Sequence, residues 1–130
     1  AEMFYDSWGD GGDTQGTDKK KSLIALAIPI LPGKVEAWKT KILNRMLGEN
    51  KKDTDAIRFA ARVRERSYLQ EMPEGHMIIL TFEGINPEAG YLQVIQNSPP
   101  EFAEAAMKIH GLDVNAPRTP LPKLVYNSHE

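Results

Sequence analysis

Residues 22–30, SLIALAIPI, form an almost unbroken apolar run, which predicts a strand covered on both faces. Pro29 puts the end of that strand, or a sheet edge, close by, because proline withholds a ladder hydrogen bond. Pro32-Gly33 breaks the run. Val35, Trp38, Ile42 and Met46 then recur at three- and four-residue steps, the apolar stripe of a helix that Gly48 and Asn50 bring to an end. A second helix is expected from Asp53 as N-cap, with Asp55 in its first turn. Ala56, Ile57, Ala60 and Ala61 give it a narrow apolar face.

The period then changes to two. Val63, Glu65, Ser67 and Leu69 point one way, and Arg64, Arg66, Tyr68 and Gln70 the other. Met72-Pro73-Glu74-Gly75 supplies a turn with glycine free for positive φ. The chain returns with His76, Ile78, Leu80 and Phe82 on one face and Met77, Ile79, Thr81 and Glu83 on the other. The turn predicts an antiparallel hairpin in which residue 71 pairs with 76 and residue 65 with 82.

Asn86-Pro87-Glu88 carries the signals of a helix start: N-cap, proline at the first helical position, acid in the first turn. Tyr91, Leu92 and Ile95 mark its inner side. Ser98 and Glu101 have capping-box spacing for a further helix, with Phe102, Ala105, Ala106 and Ile109 as its stripe and Gly111 as its stop. APRTPLPKLVYNSHE, residues 116–130, is broken by prolines, and Lys123-Leu124-Val125-Tyr126 is expected as a short edge strand.

The order strand, helices, strand, strand, helices, short strand is that of an α+β, ferredoxin-like split βαβ fold with extra helices. Helices cover one face of such a sheet and leave the other to pack on something. IALAIPILPGKVEAW, RERSYLQEMPEGHMIILTFEG and INPEA together resemble the small dimeric α+β barrel proteins, over residues 22–126. The nearest likeness is to the small uncharacterised families of that superfamily, and more distantly to antibiotic-biosynthesis-type monooxygenases. The resemblance implies a homodimer whose two sheets pair face to face, with a site between sheet and helices of each subunit. It also implies a cofactor-free monooxygenase or isomerase if the chain is an enzyme. The same fold hosts many chemistries, so the resemblance fixes none of them.

At 130 residues the chain reads as one domain, 22–126, with an N-terminal arm, 1–21, extended or irregular, and a short tail, 127–130. A hydrophobic content of 41% is enough for a core without staples. The net charge of −2 argues against a nucleic-acid binder, and no ribonucleoprotein motif is present. The absence of cysteine excludes disulfides, thiolate catalysis, zinc–thiolate sites and iron–sulfur clusters. No apolar run approaches the roughly 20 residues that span a bilayer. A cytoplasmic location is the expectation. Loss of an initiator Met, removal of a leader and an engineered boundary all stay open at Ala1. The arm departs from ordinary disordered tails in carrying Phe4, Tyr5 and Trp8, which are read either as a flexible extension or as anchors for a neighbouring chain. Asp10 and Asp13 lack the glutamate that a calcium loop requires at its twelfth position.

Candidate chemistry gathers on the hairpin. Glu65, and Glu83 on the adjacent strand, are candidates for a carboxylate base if enclosed, and for ion pairs with Arg62, Arg64 or Arg66 if not. His76 is the second candidate for proton transfer, against a plain role beside the turn. His110, at a helix C-terminus, is read as a cap that favours the dipole when protonated. Trp38 is either core or the wall of a ligand cleft. Tyr68, Arg64, Arg66 and Gln70 share a strand face and fit either a carboxylate- or phenolate-binding surface or a polar dimer seam. Neither HxH nor HExxH occurs, so neither a metal nor a cofactor is expected. Two functions follow. One is binding or conversion of a small aromatic or quinone-like molecule in a cleft walled by Trp38, Tyr68, Leu80 and Phe82. The other is a structural subunit whose arm and tail dock on neighbouring chains.

Overall fold

A computed structural model describes residues 1–8, 21–113 and 120–128. The fold is α+β. Four antiparallel strands, β1 (Glu2–Asp6), β2 (Ser22–Ile30), β3 (Arg64–Met72) and β4 (Gly75–Gly84), form one sheet in the order β1-β3-β4-β2. The hairpin register is the one its turn dictates: Glu71 faces His76 and Glu65 faces Phe82. Gly75 takes φ 142°, a conformation open to glycine. This strand order is compatible with a ferredoxin-like arrangement, with one difference at each edge.

The first difference is β1. The arm begins as a strand of this chain's own sheet, paired to β3. A register shift between Met3 and Tyr5 turns two consecutive aromatics, Phe4 and Tyr5, toward the helices. The arm aromatics, read either as a flexible extension or as anchors for a neighbour, thus meet their own domain, and Trp8 stacks on Arg64. The second difference is at β2. Lys123–Tyr126 does not pair there, and Val125 is 89% exposed. Pro120 and Pro122, just before it, lack the N–H groups that would extend a ladder. β2 is therefore an edge strand among the described residues. Leu23, Ala27 and Pro29 lie exposed on it, where coverage of both faces was expected.

Four helices lie on one side of the sheet. α1, residues 35–47, runs as Val35–Trp38, a π-helical turn Lys39–Leu43, and Asn44–Leu47. α2 (Lys51–Ala60) starts two residues before the expected cap, with Asn50 at the N-cap and Asp53 in the first turn. Its buried positions are Thr54 and Arg58, while Ala56 and Ala60 face solvent. Of the expected apolar face, Ala61 is buried and Ile57 packs against the core, while Arg58 takes the place of Ala56 and Ala60 because a buried acid on β3 draws it inward. α3 (Pro87–Asn97) is capped by Asn86, whose side chain accepts from the Ala89 amide at 3.3 Å. α4 (Pro100–His110) follows Pro99 directly. The expected capping box does not form, because the Ser98 hydroxyl instead donates back to the Val94 carbonyl at 2.7 Å. Gly111 ends α4 in the left-handed region, at φ 70°.

The core has two clusters. Ile30, Trp38, Ile78, Ala105 and Ile109 fill one end, and Ala61, Val63, Phe82 and Val94 the other. Leu80 borders both. Gly90 is where α3 crosses closest, since a Cβ there would sit 2.3 Å from Val63 Cγ1 and 2.9 Å from the Ala61 carbonyl oxygen.

Candidate functional site between sheet and helices

A cavity of about 470 Å³ lies between the two core clusters. Its floor is the helix-facing side of the sheet: Ile28, Ile78, Leu80, Phe82 and Glu65. Phe4 from β1 and Trp38 from α1 close one wall, their rings meeting edge to face at 5.1 Å and 87°. Tyr91 and Val94 of α3 and Phe102, Ala106 and His110 of α4 form the roof. The π turn follows Trp38 directly, and Ile42 within it joins the lining. The size and the aromatic, mostly apolar wall are those of a small-molecule site. A second hollow of about 340 Å³ lies outside, between α1 and α4. Its rim is Lys41, Arg45, Glu101, Glu104 and Lys108, with no aromatic, and Lys108 already pairs with Glu104 at 2.5 Å. It offers a ligand little beyond water-exposed charge.

Ionisable groups enter the larger cavity at two places, and Gln96 and Ser98 add polar side chains where α3 meets α4. At one, Glu65 and Arg58 pair at 3.0 Å, with side chains 3% and 10% exposed. The other Glu65 oxygen accepts from Ser67 Oγ at 2.5 Å, and Arg58 Nη1 donates to the Thr54 carbonyl at 3.3 Å. Beside them the Tyr5 hydroxyl donates to Asp55 at 2.5 Å, and Lys51 holds the other Asp55 oxygen at 2.7 Å. Burial, and then the bond to Asp55, push the Tyr5 phenol far above its ordinary range, so it stays protonated. Glu65 has both oxygens engaged and is poorly placed to take a ligand's proton. Its partner is Arg58, not the arginines nearest in sequence.

At the other place His110 Nδ1 lies 2.8 Å from the Pro29 carbonyl oxygen. A carbonyl only accepts, so Nδ1 carries the proton and donates. Burial holds the imidazole below its usual pKa, against the opposing effect of that bond. The ring is neutral at pH 7, which replaces the protonated dipole cap expected at this position. Phe82, opposite Glu65, and Met77, opposite Pro29, are five residues apart on β4. At ~3.3 Å per residue the two polar places are on the order of 16 Å apart, too far to act on one atom.

The remaining sequence candidates lie elsewhere. Arg64, Tyr68, Gln70 and Glu83 are on the opposite, open face of the sheet, as period two requires once Glu65 and Phe82 point to the helices. Tyr68 therefore does not wall the cleft with Leu80 and Phe82. Arg64 forks onto Asp6 at 3.0 and 2.7 Å and lies 4.5 Å from the Trp8 ring centroid. That bond holds the Asp6 carboxyl below its usual range. Arg66 reaches Glu83 at 3.6 Å. His76 is half-buried at the end of β4, outside the cavity lining, with Nδ1 enclosed and unpartnered among the described residues. No group of three His, Asp or Glu side chains gathers to hold a metal among the described residues. Asp10, Asp13 and His129 lie outside them. No described helix is long and apolar enough to cross a membrane. Comparison with protein-family models, with curated proteins and with solved structures finds no match to this chain.

Proposed function

We propose that this chain binds a small, largely aromatic molecule in the cavity between its sheet and helices. The observation that carries the reading is the cavity itself: about 470 Å³, walled by Phe4, Trp38, Phe82, Tyr91 and Phe102, with ionisable groups at two separate places. Flat rings suit such a wall because aromatic pairs gain beyond the area they bury. The resemblance in strand order extends the reading to cofactor-free oxygenation or isomerisation of a quinone-like substrate; the cavity supports binding. The test is calorimetric titration of a panel of one- and two-ring aromatics against the wild type and Ala106→Trp, which fills the cavity from α4. Micromolar binding by the wild type, lost in a variant whose circular dichroism is unchanged, is expected. Equal binding by both proteins would place the ligand elsewhere.

The open sheet face supports a companion reading, a homodimer through that face. Leu23, Ala25 and Ala27 of β2 run beside Glu83, Thr81 and Ile79 of β4, with Tyr68 next to Ile79 on β3. Small and apolar side chains thus line the β2 edge of this face, and the Arg66–Glu83 pair lies on the two central strands beside them, a mixture found at many protein interfaces. The alternative, an interaction subunit that docks through its tail, draws support from the exposed Leu124, Val125 and Tyr126.

A further inference from the structure

The C-terminus of α4 is tied to the end of β2 by two bonds. The Leu31 amide donates to the Ile109 carbonyl at 2.8 Å, and His110 Nδ1 donates to the Pro29 carbonyl at 2.8 Å. Gly111 then turns the chain in the left-handed region, against the Leu31 side chain. The imidazole is therefore fixed in position and in tautomer before any ligand arrives. With Nδ1 protonated and engaged, Nε2 holds the free lone pair. Nε2 has no hydrogen-bond partner among the described residues, and it is not sealed away like His76 Nδ1. His110 lines the cavity together with the apolar Ile28, Phe102, Ala106 and Leu112; of the other polar residues on α3 and its C-terminal turn that line it, Ser98 donates to the Val94 carbonyl and Gln96 makes no bond to Nε2 among the described residues. A lone-pair acceptor in an apolar wall gains most from a ligand that brings its own donor, and leaving it dry and unmatched is costly.

We propose that His110 is a ligand-binding residue whose Nε2 accepts a hydrogen bond from an aromatic hydroxyl, so that the cavity takes phenols and naphthols in preference to their ethers. This inference rests on the cavity being the ligand site. Arg58 marks the opposite polar place. Its Nη2 has no partner among the described residues, and a guanidinium only donates, so that place suits a carbonyl or carboxylate oxygen and not a hydroxyl proton. The two places thus differ in sign of hydrogen bonding, so a ligand hydroxyl is drawn to the His110 end and a carbonyl or carboxylate to the Arg58 end.

The test pairs 1-naphthol with 1-methoxynaphthalene, which share rings and differ in the donor. Calorimetric titration of the wild type is expected to favour the naphthol about five- to tenfold, the worth of roughly one net hydrogen bond. His110→Asn keeps a side-chain N–H within reach of Pro29 and takes the acceptor away from the Nε2 position, because the shorter side chain ends, with its carbonyl oxygen, about where Cδ2 stood. In that variant the two probes are expected to bind within about twofold of each other, with the ether's affinity unchanged. A second readout is the ¹⁵N spectrum of histidine-labelled protein. Naphthol is expected to shift the His110 Nε2 resonance, and the ether is expected to leave it in place. Equal wild-type affinities, or a preference that survives in His110→Asn, overturns the assignment while leaving the cavity reading intact. Failure of both probes to bind the wild type removes the cavity reading and this assignment with it. An ether that binds the wild type well but binds His110→Asn poorly assigns the residue a structural role only, and also overturns the proposal.

Discussion

Arg58→Met isolates the buried charge at the cavity wall. The substitution keeps most of the aliphatic stem and removes the guanidinium, which pairs with Glu65 and lies 5.8 Å from the Tyr5 ring centroid. Glu65, with its side chain 3% exposed, then keeps only the Ser67 hydroxyl as partner. Breaking a buried pair by removing one member costs about 3–5 kcal/mol, because an uncompensated charge remains. Ser67 retains one bond and the adjoining cavity admits water, so the lower end, about 3 kcal/mol, is expected. That is a large share of the roughly 5–15 kcal/mol that stabilises a domain, and for this chain length it lowers Tm by about 10–15 °C. The double variant Arg58→Met/Glu65→Leu removes both charges and is expected to recover to within about 1–2 kcal/mol of wild type, with the Ser67 hydroxyl left to find water. Urea denaturation followed by circular dichroism, run as a double-mutant cycle, reads both numbers. A loss below about 1 kcal/mol in Arg58→Met, or a double variant weaker than either single one, refutes the burial argument.

Two further outcomes follow from the packing. Gly90→Ala places a methyl group 2.3 Å from Val63 Cγ1 and 2.9 Å from the Ala61 carbonyl oxygen, so α3 must shift; a loss of roughly 1–3 kcal/mol by thermal melting is expected, and a neutral effect contradicts the close approach. Ala27→Glu puts a carboxylate beside Ile79 on the open sheet face and is expected to convert a homodimer to monomer by light scattering; a wild type that is already monomeric at high micromolar concentration sinks the dimer reading.

The hairpin was legible because its turn fixes the register and its period fixes the faces. Ile78, Leu80 and Phe82 reach the cavity for that reason, and Glu65 with them. The same period excludes Tyr68, Arg64, Gln70 and Glu83, which sequence proximity had grouped with them. β1 was hidden because its ladder depends on β3, 60 or more residues away, and no local pattern of five residues reports such a partner. Arg58 was hidden by an alanine stripe with the right spacing on its own helix. The signal for it was Glu65, an acid flanked at alternate positions by Val63 and Ser67 on a buried face, which needs a cation from the layer above. His110 was in view, but as a dipole cap. Its role turns on a contact with Pro29 across the fold, and on burial, neither of which is written in its neighbours.

The most direct measurement is a ¹H–¹⁵N and methyl NMR titration with 1-naphthol. The indole N–H of Trp38 and the methyl groups of Ile78, Leu80 and Val94 are expected to shift together and saturate. Ile79 and Leu23, on the other face of the same sheet, should stay in place. Saturable shifts at Ile79 and Leu23, with Trp38 unmoved, contradict the account.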